Sequence, residues 1–243
     1  MKKFCVLVLI LILTHSLSSI AQVTSKTLDL PSFRSIYVNS NYTVYLKQTN
    51  KQEVKVEALT EIFEVSEFKV ENDVLHININ RKKDVKNKSL WSKIDDIKIA
   101  PTLRVMISLR DVAELKVNGG GKIVSENSIA SNDLKLGVTG SGSIEIDIKG
   151  REVDAEISGS GDMTLKGYAS EADITLSGSG SLRAYNFELE KAEAKMSGSG
   201  LCEINVSDNL EAMVYGSGDM KHKGGTKNVV KKVYGNGSID RAY

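Results

Sequence analysis

The chain has 243 residues, with 32 lysines and arginines against 31 aspartates and glutamates, and 41% of its residues are hydrophobic. That length supports one large or two small domains with a real core, and the balanced charge gives no sign of the basic surface that nucleic acid demands. Two cysteines and three histidines are too few for a sulfur- and imidazole-based metal cage.

Residues 1–21, "MKKFCVLVLILILTHSLSSIA", carry Lys2 and Lys3, an apolar run from Phe4 to Leu13, and small residues at Ser19 and Ala21. This pattern predicts a signal peptide cut between Ala21 and Gln22, so an exported protein of the periplasm or outer cell surface is expected. Removing 21 residues from 243 leaves 222, and losing two lysines turns the balance into 30 bases against 31 acids. Later apolar runs are too short to span a bilayer, so no transmembrane segment is expected in the mature chain. Cys5 leaves with the signal and Cys202 remains alone, which excludes an intramolecular disulfide.

Residues 22–110 read as an irregular β-rich amino-terminal half. "RSIYVNSNYTVYL" alternates Ile36 and Val38, then Val44 and Leu46, and "DVLHININ" alternates Leu75, Ile77 and Ile79 against His76, Asn78 and Asn80. Within it, residues 81–93, "RKKDVKNKSLWSK", combine six basic residues with Trp91. Two readings stand: a dock for anionic glycan or lipopolysaccharide, or, the one preferred, a solvated connection with Trp91 turned to the core.

From residue 111 to 243 the chain repeats itself. Glycine pairs begin at Gly119, Gly140, Gly159, Gly178, Gly198, Gly216 and Gly235, with gaps of 21, 19, 19, 20, 18 and 19 residues. Two residues before each first glycine the chain is apolar, from Val117, Val138 and Ile157 through Val233; four after, it is again apolar, from Ile123, Ile144 and Met163 through Ile239. A third apolar column, six before, runs from Ala113 and Leu134 to Val229. Alternation with period two on both sides of the glycines means strand, corner, strand, turn. In a solenoid equivalent positions stack at about 4.8 Å, which holds each column to one chemical character, whereas a meander orders its faces less strictly. The constant columns therefore predict an all-β parallel β-solenoid about 34 Å tall over seven coils. Val38, Ser40, Val44 and Leu46 match the same spacing, with Ser40 in the first glycine's place, so the stretch is read as a degenerate first coil and the amino-terminal half as a cap on the regular half.

The glycine pairs are read as backbone corners, with the intervening serines outward or laddered. A dinucleotide fingerprint needs a third glycine and a following helix, a phosphate loop needs Gly-Lys-Ser/Thr, and calcium-binding solenoids need an Asp in every repeat. None of these is present.

The sequence is identified as a member of the putative auto-transporter adhesin, head GIN domain family of exported bacterial proteins common in the Bacteroidetes. The residues that carry the resemblance are "FRSIYVNSNYTVYLKQTNKQEVKVEA", "ISLRDVAELKVNGGGKI" and the run "VTGSGSIEI", "ISGSGDMTLKG", "LSGSGSL", "MSGSGLCEINV" and "VYGSGDMKHKG". The resemblance covers nearly all of the mature chain and makes residues 22–243 one continuous family domain. It implies a right-handed β-helix-like fold and a surface-associated location, but little chemistry. Auto-transporters carry a carboxy-terminal membrane barrel; the repeats here run to Tyr243, so self-export is not expected.

The chemistry-bearing residues are few. His76 and His222 fall in different halves and are expected to be satisfied surface imidazoles. Asp147, Asp154, Glu156, Asp162, Asp173, Glu193 and Glu203 are outward acids that a carbohydrate-cleaving β-helix would need to cluster, and are expected to form an ordinary charged face instead. Tyr215 and Tyr234 should stack on adjacent coils, either as a sugar-binding ladder or, as preferred, covering the edge of the last coil. No catalytic, metal or cofactor residue is expected. The reading is a non-enzymatic, adhesin-like binding or scaffold protein whose partner is a glycan or an envelope protein. Its alternatives are a polysaccharide-acting β-helix enzyme and a periplasmic partner of envelope machinery.

Overall fold

The structure, a computed structural model, describes residues 23–80 and 103–242. Among the described residues seventeen strands form one continuous sheet, accompanied by one short helix. In the repeats four long strands run from one glycine corner to the next, β11 (Ser143–Gly159), β12 (Asp162–Gly178), β13 (Ser181–Gly198) and β14 (Leu201–Gly216), and before them β10 (Ile129–Gly140) covers the second part of its coil. The last coil breaks into β15 (Asp219–Lys223), β16 (Asn228–Gly235) and β17 (Ser238–Arg241). All of these pair parallel, and the register is continuous except for shifts between Thr164 and Lys166 where β12 meets β13, and between Ala184 and Glu188 and between Leu189 and Lys191 where β13 meets β14. The sheet therefore winds into a β-solenoid with two faces closed on one core.

The predicted columns are pairing partners. Ile144, Met163, Leu182 and Cys202 stand opposite one another on successive coils and are buried. Val138, Ile157, Leu176, Met196 and Val214 do the same across the corner. A column that the sequence reading left out, four residues before each first glycine, also points inward: Leu136, Ala155, Ile174, Ala194 and Ala212 are buried in register.

The two glycines of a corner serve different needs. Gly159 has φ +115°, a region that costs any L side chain strain, and a Cβ on it would stand 2.7 Å from the Gly140 oxygen. Gly161 lies against the coil before it, where a Cβ would meet the Gly142 oxygen at 2.6 Å. Between them Ser160 turns outward, exposed, while its backbone N–H donates to Gly140 O at 2.9 Å. The ladder at the corners is thus made by the backbone, and the serine hydroxyls form an outward row.

The amino-terminal half joins this stack out of chain order. β2 (Ser35–Asn39) and β3 (Thr43–Gln48) form a coil that β8 (Glu114–Gly119) and β9 (Lys122–Ser125) flank on one side. On its other side lie β6 (Val74–Ile79) and β7 (Arg104–Leu109). Val38 pairs with Val117 and Val44 with Ile123, which puts Ser40 in the glycine position, as expected. Ser40 Oγ donates to Ile77 O at 3.0 Å.

Antiparallel strands then close the amino-terminal end: β1 (Val23–Leu28) and β4 (Glu53–Leu59) on one face, and β5 (Ser66–Glu71) on the other. The helix α1 (Thr60–Val65) between β4 and β5 buries Ile62 and Val65 against the core. This end carries the polar outer shell that a terminal repeat needs. Residues 1–22 and 81–102 and Tyr243, and with them the signal peptide and the Trp91 readings, lie outside the described residues.

Candidate functional site

The outer faces follow the same column rule as the interior. Part of the outward acid set expected to form an ordinary charged face falls into one such column. Asp154, Asp173 and Glu193 are register partners and continue into Glu211, which makes a row of carboxylates on adjacent strands. Their spacing is set by the backbone, so like charges sit about one strand apart. Two members carry an ammonium: Lys195 pairs with Glu193, and Lys232 Nζ lies 3.2 Å from Glu211.

Asp162 is elsewhere, 2.9 Å from Arg183 on the next coil. Glu145, which the sequence reading passed over, lies between Lys166 at 3.3 Å and Lys122 at 3.5 Å. The hydrogen bond from Lys166 lowers its carboxyl below the usual range, against a smaller opposing effect of burial. Asp147 keeps one buried oxygen without a partner. Asp154 and Glu156 are exposed and Glu203 is half-buried.

A recess of about 600 Å³ crosses the outer surface of β12, β13 and β14 as far as Gly224 and Gly225. Tyr168 stands at its rim, 54% exposed, with Glu188, Glu190, Asn205 and Ser207 along the walls. Ser207 Oγ donates to Leu189 O and Asn205 Nδ2 to Tyr185 O, which fixes both side chains on the recess wall. No motif in the sequence marks this site, because its residues come from four successive coils and lie beyond the regular columns.

The carboxy-terminal end departs from the edge-covering reading of its tyrosines and from the surface reading of His222. Tyr215 and Tyr234 stack as predicted, with centroids 4.9 Å apart and planes 7° from parallel. They do not cover the edge, since they project from the outer face while Val229, Val230 and Val233 remain exposed. His222 is no surface imidazole. It is 3% exposed and neither ring nitrogen has a partner, because alternation along β15 places it in the inward column above Ile204. Burial, with Lys231 and Arg241 nearby, lowers its pKa. His76 packs edge-on against Tyr37 at 5.3 Å on the outer face.

Cys202 is a buried free thiol in the Leu182 column, and burial pushes its pKa up to about 12. Among the described residues no group of three or more His, Cys, Asp or Glu is placed to hold a metal ion, and no helix is long and apolar enough to cross a membrane.

Solved structures share this architecture. A putative adhesin from Bacteroides fragilis NCTC 9343 superposes with a TM-score of 0.81 at 21% identity, covering 91% of this chain and 97% of the other. A putative adhesin from Parabacteroides distasonis ATCC 8503 gives 0.72 at 22% identity, covering 91% and 98%. A protein from the same Parabacteroides strain, described as a putative lipid binding protein, gives 0.69 at 19% identity, covering 91% and 97%. At these identities the likeness speaks for the fold alone. Among curated proteins none matches. The family model for the putative auto-transporter adhesin, head GIN domain, matches residues 32–226, and the chain belongs to that family.

Proposed function

We propose that this protein is an exported, non-enzymatic binding module of the cell envelope, adhesin-like in its mode of action. Its contact site is the Tyr168 recess and its ligand class is glycan. The observation that carries this reading is the exposed Tyr168 ring at the rim of this recess, which the carboxylates of Glu188 and Glu190 and the amide of Asn205 also line. A flat apolar ring beside a few fixed polar groups suits a sugar, whose C–H face packs on the ring while its hydroxyls meet carboxylate and amide. The solenoid supplies a rigid support, since every coil is bonded to its neighbours through parallel ladders. A signal peptide over residues 1–21 and delivery to the periplasm or outer surface belong to the same proposal.

The interior columns are filled with side chains, which argues against an acyl chain in the core and favours a surface ligand over the lipid of the relative described as lipid binding. One observation favours a second reading, polysaccharide cleavage: the row Asp154, Asp173, Glu193 and Glu211. It lies on an open face with two members ion-paired, whereas acid–base cleavage needs two carboxyl groups in contrasting, shielded environments.

A glycan array probed with residues 22–243 tests the proposal, with Tyr168→Ala as the companion variant. Binding that falls at least about tenfold in the variant supports it. Turnover of a bound polysaccharide that is lost in Asp173→Asn establishes the enzyme reading instead. Surface-protease accessibility in intact cells tests the location; full protection places the protein in the periplasm, as a partner of envelope machinery.

A further inference from the structure

The two ends of the stack are finished differently. At the amino-terminal end antiparallel strands and α1 close the core. At the other end all eight residues of β16 are exposed, and no described residue covers them. The change takes place over one coil: Leu210 and Val214 are dry, while their register partners Val229 and Val233 are 37% and 44% exposed.

Two inward columns also change chemistry at this end. Lys231 follows Ala194 and Ala212, and its Nζ bends back to donate to Ile239 O at 3.0 Å. Arg241 follows Ile204 and His222, and its Nη2 donates to Gly224 O at 3.3 Å. Beneath them lies His222, buried and with both ring nitrogens unpartnered. The mouth of an apolar core is thus rimmed by two cations whose hydrogen bonds go to backbone carbonyls.

An inward lysine on an edge strand keeps that edge from pairing indiscriminately. Here it also selects. A second copy docking end to end would set Lys231, Lys232 and Arg241 against their own equivalents, and the opposite end of another copy presents a closed cap. An extended strand laid parallel on β16 would instead continue the columns. Its side chains would fall over Val229, Lys231 and Val233, so the matching pattern is apolar, acidic, apolar at alternate positions, with a ring next in line to stack on Tyr234.

We infer that this end is a docking edge for one extended strand of a partner protein with that pattern, its carboxylate received by Lys231 and Arg241. Backbone hydrogen bonds along β16 supply affinity, and the alternate side chains supply selection. The inference shares with the Tyr168 recess only Gly224, the backbone partner of Arg241, and does not rest on the glycan reading.

The test uses two fluorescent octapeptides, Thr-Val-Thr-Glu-Thr-Val-Tyr-Gly and the same peptide with Lys for Glu, titrated into residues 22–243 and followed by anisotropy. The Glu peptide is expected to bind at least about tenfold tighter and to slow amide exchange in residues 229–234. Lys231→Glu should reverse the preference, and Tyr234→Ala, an exposed change that leaves the core intact, should weaken the Glu peptide. Equal binding of both peptides, binding of neither, or protection elsewhere in the chain overturns the inference. So does sedimentation that shows the free protein self-associating through β16.

Discussion

Gly161 lies against the coil of Gly142 so closely that a β-carbon on Gly161 would stand 2.6 Å from the Gly142 oxygen. The same approach repeats up the stack, so the pitch of the solenoid at its corners is set by backbone contact. Gly161→Ala should cost about 1–3 kcal/mol, the range for forced overpacking. Ser160→Ala, one residue away and outward, should stay within about 0.5 kcal/mol. Denaturant melts of the two variants measure the difference, and equal midpoints would show that the corner has room to spare.

Ile174 lies between Ala155 and Ala194 in its inward column, with Ala212 next beyond. It is the one bulky side chain in that stretch. Ile174→Ala would line up four alanines and leave a void that the hydrogen-bonded ladders prevent from collapsing, so the loss should reach about 2–5 kcal/mol. Urea midpoints at constant m-value check this.

Cys202 shares its column with Leu182 and Met220 and is fully buried. With its pKa raised to about 12 by burial, almost no thiolate exists at neutral pH, and the thiol should react with a disulfide reagent only after unfolding. Cys202→Ser should destabilise by about 1–3 kcal/mol, because a hydroxyl there has no partner. Rapid labelling of the native protein would contradict the placement.

His222 gives the stability a pH dependence of definite sign. Its pKa is lowered in the fold by burial first, then by Lys231 on β16 and Arg241 on β17. The unfolded state therefore binds the proton more readily. The contribution is complete above the unfolded value of about 6.5 and is lost as pH falls through the folded one. The melting temperature should decline below about pH 6.5, and His222→Leu should flatten that part of the profile. An unchanged profile in the variant would assign the decline to other groups.

The repeats were legible because parallel stacking gives each column one environment, so Val138, Ile157 and Leu176, or Ile144, Met163 and Leu182, reveal a shared interior before any coordinates exist. Ser40 in place of a glycine was readable for the same reason: Val38 and Val44 keep the spacing around it. The column through Ala155, Ala194 and Ala212 was missed, since alanine and lysine in one column look like noise when each repeat is read alone. His222 was misjudged because a titratable side chain is expected at the surface, and its strand phase outweighs that preference.

By itself the sequence determined the period, the corners and the dry columns, since these are local consequences of alternation and of glycine without a β-carbon. Only the tertiary structure decided that β2 and β3 lie inside the stack rather than at its start, and that one end is closed by antiparallel strands and α1. It also decided that Tyr168 shares a recess with Glu188 and Asn205 from other coils, and that Lys231 and Arg241 rim an open core. These depend on which strand edges find each other, and pairing between distant segments leaves no mark on the composition of either one.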